Sequence, residues 1–147
     1  MKISTKGRYG TRALFELALR YGQGPVPLRD IAKSQEISLQ YLEHIIKPLV
    51  TAWIIGSTPG VNGGVWLARK PEEVTLGEAL ALLEGSFAPV ACVGNPGLCQ
   101  RADACVTRDI WSELKKAMNG VLDGTTLQDM VERQKKKELA GPVMYNI

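Results

Sequence analysis

Residues 36–70 read EISLQYLEHIIKPLVTAWIIGSTPGVNGGVWLARK, and the change of period inside this stretch decides the fold. The first half repeats every three or four residues. Leu39, Leu42, Ile45, Ile46 and Leu49 fall on one face of a helix, while Gln40, Glu43, His44 and Lys47 fall on or beside the other. Ser38 stands at the N-cap, and Tyr41 occupies the place where a capping box has Glu, so the cap rests on Ser38 alone. Pro48 lacks an N–H and clashes with the carbonyl four residues back, which predicts a kink or fraying late in this helix. The second half is apolar and β-branched from Trp53 to Thr58. It breaks at Pro59, Gly60, Asn62, Gly63 and Gly64 and resumes from Val65 to Arg69. That is the pattern of a hairpin with a glycine-rich tip.

Upstream, Ser4 or Thr5 caps a helix expected to run to about Tyr21, with Tyr9, Ala13, Leu14, Leu17, Ala18 and Tyr21 on its apolar face. The GQGPVP segment ends it, and a short helix is expected from Leu28 to Ser34. Downstream, Thr75-Leu76-Gly77-Glu78 reads as a capping box opening a helix to about Glu84. From Gly85 to about Thr107 nothing is periodic. A loop that long inside a compact domain is usually functional or disordered. A long helix then starts near Arg108 with a broad apolar stripe of Ile110, Trp111, Leu114, Ala117, Met118, Val121 and Leu122, broad enough to need a partner. After DGTT a last helix is expected from Leu127 to Lys137, with a loose tail from Lys135 onward.

The order is helix, short helix, tight turn, amphipathic helix, glycine-tipped hairpin. It predicts a mainly α protein with a small β-hairpin wing: a winged helix-turn-helix followed by a long C-terminal helix. The expected organisation is residues 1–84 as the winged domain, with the motif at about 28–51 and the wing at about 53–69. A cysteine loop at 85–107, two helices over 108–137 and a tail at 138–147 follow. In such a fold the second motif helix enters the major groove of DNA. Gln40, Tyr41, Glu43, His44 and Lys47 can each bond a base edge or a phosphate, and the hairpin tip can reach the minor groove. A hairpin that merely closes a helical core, or a winged helix that binds protein, fits the same pattern. Charge favours DNA: the net charge is +6 over residues 1–70 and −3 over residues 71–147.

Composition narrows the class. With 147 residues, 45% hydrophobic and 22% charged, the chain is sized for one globular domain. No apolar run is long enough for a membrane span, and the N-terminus lacks a signal-peptide pattern, so a cytoplasmic protein with reduced thiols is expected. An enzyme is not expected. The single His has no Cys at a spacing suited to nucleophilic work, and GVNGG lacks the Lys of a phosphate loop.

All three cysteines lie in CVGNPGLCQRADAC, spaced Cys92-x6-Cys99-x5-Cys105. Disulfide pairing would leave one thiol over. Structural zinc prefers closer pairs and four ligands. Iron–sulfur clusters take Cys thiolates at varied spacings. From the spacing, a cluster, a zinc site and a thiol switch all stay open, with the cluster ahead.

ISTKGRYG, GPVPLRDIAKSQEISLQYLEHIIKPL, GGVWLAR, TLGEALALLEG and the cysteine loop together resemble the IscR-type transcription regulators, relatives of NsrR and RirA. The likeness spans about residues 1–135. It implies a homodimer paired through the long helix, with Ile110, Trp111, Leu114 and Met118 at the interface. It also implies a 2Fe–2S cluster on Cys92, Cys99 and Cys105 whose state alters binding to operator DNA. Ser38, Leu39, Gln40, Tyr41 and Glu43 map onto the recognition helix and Thr58 to Gly64, including Gly60 and Asn62, onto the wing. Two departures stand out. Positions that supply a fourth cluster ligand in relatives hold Arg8, Arg12 and Arg108 here, leaving Glu16, Asp103, Asp109, an exogenous thiol or water as candidates. Relatives often carry Arg where Pro59 stands. A zinc- or thiol-switched regulator and an iron–sulfur electron carrier docking through its winged helix are the rival readings.

Overall fold

The computed structural model describes residues 2–141. Seven helices and one hairpin follow in the order α1 (Thr5–Leu19), α2 (Leu28–Gln35), α3 (Leu39–Thr51), β1 (Ile55–Thr58), β2 (Gly64–Leu67), α4 (Leu76–Glu84), α5 (Ala91–Gly94), α6 (Val106–Asp123) and α7 (Leu127–Leu139). This is a mainly α winged helix-turn-helix, as expected. The strands pair antiparallel with Ile55 opposite Leu67 and Thr58 opposite Gly64. Val26, in the segment between α1 and α2, adds two backbone hydrogen bonds to Val65 and holds β2 near its tip-side end.

Leu14 and Leu17 of α1, Ile31 of α2, Leu42, Ile45 and Leu49 of α3, and Ile54 and Ile55 at the hairpin entrance are fully buried. Each such side chain contributes about 1.5–3 kcal/mol by leaving water. Leu127 and Val131 of α7 join the same core, so the last helix returns to pack on α1. Helix α1 also crosses α4 closely. A Cβ on Gly10 would lie 2.4 Å from a Leu83 methyl, so any larger residue there would force Leu83 to move.

Several local expectations change. Helix α1 is capped by Ser4, whose Oγ accepts from the Gly7 N–H, and it ends at Leu19. Tyr21 lies outside it and is exposed. Helix α3 runs past Pro48 to Thr51. It closes with paired bonds from the Trp53 N–H to the Val50 carbonyl and from the Ile54 N–H to the Leu49 carbonyl. In this Schellman closure Trp53 takes the left-handed conformation at φ 58°, so it ends the helix and β1 begins only at Ile55. Helix α2 ends the same way, with Glu36 at φ 55° and the Ile37 N–H bonded to the Ala32 carbonyl.

Thr75 caps α4 by accepting from the Glu78 N–H, but the Glu78 side chain turns to Arg69 at 2.6 Å and the box is half made. The complete capping box is Thr126–Asp129 at the start of α7. That helix continues to Leu139, beyond the expected start of a loose tail. Residues 142–147 lie outside the described residues. The aperiodic segment holds α5 and two single 3-10 turns, Pro96–Leu98 and Ala102–Ala104.

Candidate nucleic-acid interface and cysteine loop

Helix α3 is held by its buried side and displays the other. The Tyr41 N–H donates to Ser38 Oγ at 3.2 Å, so Ser38 caps the helix. Gln40, Glu43, His44 and Lys47 are exposed, and together with Ser38 and Tyr41 they line one shallow depression of about 520 Å³. Leu39, expected on the apolar face, is 41% exposed at the first turn, where nothing covers the helix start. A larger groove of about 890 Å³ runs between α3 and the wing, with Glu43 and Lys47 on one wall and Thr58, Pro59 and Gly60 on the other. Arg29 of α2 lines its end and Val61 the wing side. Val61 falls within the Thr58–Gly64 wing stretch read from sequence, whereas Arg29 was not singled out, because only the folded groove brings it beside α3. Asn62 is exposed at the tip.

Two sets of contacts set the pose of α3 against α1. The Tyr9 and Tyr41 rings meet edge to face with centroids 6.1 Å apart, and the Arg8 and Arg12 guanidinium groups lie over Tyr9 at 5.9 and 5.5 Å. Such aromatic pairs contribute about 0.5–1.5 kcal/mol beyond their burial. Arg12 also donates to the Gln35 side-chain and backbone oxygens at 2.9 and 2.6 Å. The Gln35 amide donates to Glu16 at 2.7 Å, and Arg20 pairs with the other Glu16 oxygen at 2.8 Å. Gln35 immediately precedes the turn into α3, so this network fixes where the turn begins. It also gives each carboxylate oxygen of buried Glu16 a hydrogen-bond partner, so that this acid serves the α1–α2 contact.

Cys92 lies on α5, Cys99 follows the first 3-10 turn, and Cys105 precedes α6; all three are half-buried free thiols. Arg108 Nε donates to the Cys92 carbonyl at 3.2 Å, tying α6 to α5. Cys105 Sγ lies 3.2 Å from the Thr107 hydroxyl. That contact and the Arg108 N–H hold the Cys105 thiol below its ordinary pKa. Among the described residues no three His, Cys, Asp or Glu side chains converge as metal donors. The donor chemistry suits an iron–sulfur cluster; the three thiols, as placed, are not gathered.

Helix α6 has no buried residue among its 18. It packs on α4 and α5 and leaves Val106 (72%), Ile110 (53%), Trp111 (38%) and Val121 (67%) exposed, with Leu114 and Met118 partly covered. No described helix is long and apolar enough to cross a membrane.

The wing, the capped helix beside it and the displayed polar face define a DNA-binding winged helix-turn-helix protein. A family model described as Rrf2, iron-dependent transcriptional regulator, matches residues 3–133. The Rrf2 protein of Nitratidesulfovibrio vulgaris is 43% identical over 131 residues, 89% of this chain and 87% of that protein. The structure of CymR, the global cysteine regulator of B. subtilis, superposes with a TM-score of 0.77 at 37% identity, covering 90% of this chain and 98% of that one. T. potens IscR superposes at 0.76 with 38% identity, covering 98% and 93%. The chain belongs to the Rrf2 family, whose members are transcription regulators rather than enzymes.

Proposed function

We propose that this protein is a homodimeric, cytoplasmic transcription regulator that reads operator DNA with α3 and the wing and senses iron–sulfur or redox status through its cysteine loop. The observation that carries the reading is the α3 surface: Gln40, Glu43, His44 and Lys47 exposed together beside an open groove, on a helix anchored from behind. In this reading Gln40 and Glu43 address base edges, while Lys47, Tyr41 and Arg29 address phosphates. Thr58, Gly60 and Asn62 bring the wing backbone to the neighbouring groove. The exposed face of α6, with Ile110, Trp111, Leu114 and Met118, pairs two copies and sets the spacing of two α3 helices. Half-sites one helical turn apart need about 34 Å between readers.

Cys92, Cys99 and Cys105 would hold a 2Fe–2S cluster, which would supply a charge and redox state that depend on iron and oxidants. The chain's own part is to tie the loop to the reader. Glu84, the last residue before the loop, binds Ser4 at the head of α1. Tyr9 and Arg12 further along α1 touch Tyr41 and Gln35. Ordering of the loop therefore bears on α1, and α1 bears on α3. A tenfold change in DNA occupancy needs a coupling of only about 1.4 kcal/mol.

A second reading is favoured by the Cys105 thiol, whose pKa is lowered by the Thr107 hydroxyl and the Arg108 N–H at the head of α6 and which is not gathered with the other two. There the same loop acts as a direct thiol switch, in keeping with the likeness to a cysteine regulator. Protein purified without oxygen separates the two. The cluster reading expects visible absorbance, iron and sulfide, all lost in Cys92→Ala, and DNA affinity that differs between loaded and stripped protein. Colourless, metal-free protein whose DNA binding responds to thiol oxidants establishes the second reading instead. Salt-insensitive or absent DNA binding would leave the electron carrier.

A further inference from the structure

From Pro48 to Ala68 the chain carries no Asp, Glu, Lys, Arg or His. The hairpin from Ile55 to Leu67 is therefore free of charge, although it forms one wall of the groove whose other parts carry Lys47 and Arg29. At its tip, Val61 is 99% exposed and follows Pro59 and Gly60. The tip is built to hold this side chain out. The Gly63 N–H donates to the Gly60 carbonyl at 3.0 Å and closes the turn around Val61 and Asn62. A Cβ on Gly63 would lie 2.1 Å from the Thr58 carbonyl oxygen, so the turn is packed tightly against its own base. The tip-side end of β2 is held in turn by the Val26–Val65 bridge. A hydrogen-bonded turn thus presents an apolar side chain next to the α3 helix.

We propose that Val61 is a specificity-determining residue that acts as an apolar wedge in the minor groove, selecting a deformable pyrimidine–purine step. This rests on the DNA-binding reading above. Phosphate attraction belongs to the helical side of the groove, through Lys47 and Arg29. The wing adds van der Waals contact with sugars and base edges and no counterion release. An apolar side chain pressed between base steps unstacks them, and the TA and CA/TG steps yield most readily. Sequence preference then arises where no hydrogen bond is made.

The test uses the full-length protein and short duplexes that it enriches from a random pool, resynthesised with each step flanking the α3 site replaced in turn. Val61→Ala is expected to weaken binding about tenfold on duplexes with a TA step under the wing, with the same slope of affinity against salt. On duplexes carrying a stiff AA or GC step there, it is expected to change binding little. Val61→Lys should add about one counterion to the slope and flatten the step preference. Val61 is wholly exposed, so both variants keep the wild-type melting temperature. Binding of Val61→Ala within twofold of wild type on the TA duplex overturns the wedge, as does a wild type indifferent to the step. Gln40→Ala separates the two failures: if it loses binding while Val61→Ala does not, the reader stands and the wedge falls. If no duplex is enriched at all, both fall.

Discussion

Ser4 and Glu84, eighty positions apart, are joined twice: the Ser4 N–H and hydroxyl donate to one oxygen of Glu84 at 2.8 and 2.5 Å. The same hydroxyl oxygen accepts from the Gly7 N–H and caps α1. One serine therefore starts the first helix and holds the last residue before the cysteine loop. The contact is possible because α1 has glycine at the crossing, where a Cβ on Gly7 would lie 2.1 Å from the same carboxylate oxygen.

Removing this clasp should cost stability and coupling together. Ser4→Ala loses an N-cap and a charge-assisted bond, an expected loss of about 1–2 kcal/mol in urea unfolding. Glu84→Ala leaves the cap and removes the tie to the loop. It is expected to shrink the difference in DNA affinity between loaded and stripped protein. An undiminished difference would exclude this route.

Glu36 and Trp53 end the two helices of the motif in a conformation that suits glycine. A left-handed residue with a side chain costs about 1–2 kcal/mol, and glycine loses about 0.5–1 kcal/mol in chain entropy on folding. Glu36→Gly and Trp53→Gly should each stabilise by about 0.5–1 kcal/mol. Trp53 is 74% exposed, so little packing is lost with it. Denaturant midpoints check both.

The uncovered face of α6 is expected to close a dimer. A helix of 18 residues is about 27 Å long, enough for a continuous seam. Ile110→Glu with Trp111→Glu should give a monomer in sedimentation equilibrium with unchanged helicity. Its affinity for a two-half-site duplex should fall at least about a hundredfold, because the second reader no longer binds in the same complex. A persistent dimer would place the contact elsewhere.

The thiol of Cys105 should ionise below its ordinary range, since the Thr107 hydroxyl and the Arg108 N–H favour the thiolate. The thiolate is the nucleophile, so alkylation rate rises with pH through that lowered midpoint. Thr107→Val should move the midpoint up and slow the reaction at neutral pH. Metal-free protein with Cys92→Ser and Cys99→Ser reports this one thiol alone.

The helices and the wing were legible because their signals are local. Period, caps and glycine–proline breaks act over a few residues, and they located α2, α3, the hairpin and the α6 stripe. What went astray was decided by partners far along the chain. Glu78 looked like half of a capping box, but Arg69, brought near by the end of the hairpin, takes its carboxylate. Trp53 read as the start of a strand because it is apolar; the Schellman closure of α3 claims its backbone instead. Glu16 is the one acid on α1, and its partners Gln35 and Arg20 cannot be read from spacing, since Gln35 lies on the next helix.

The sequence by itself determined a helix-turn-helix followed by a hairpin, a displayed polar face on α3, and three thiols confined to one loop. Those features follow from side-chain order within short windows. Only the tertiary structure decided that α1 bridges the loop and the reader, that α7 completes the core, and that Val61 stands out from a neutral wing. Such relations depend on which distant surfaces meet. A hydrogen bond between residues eighty apart leaves no period in the chain, because its partners are selected by packing rather than by spacing.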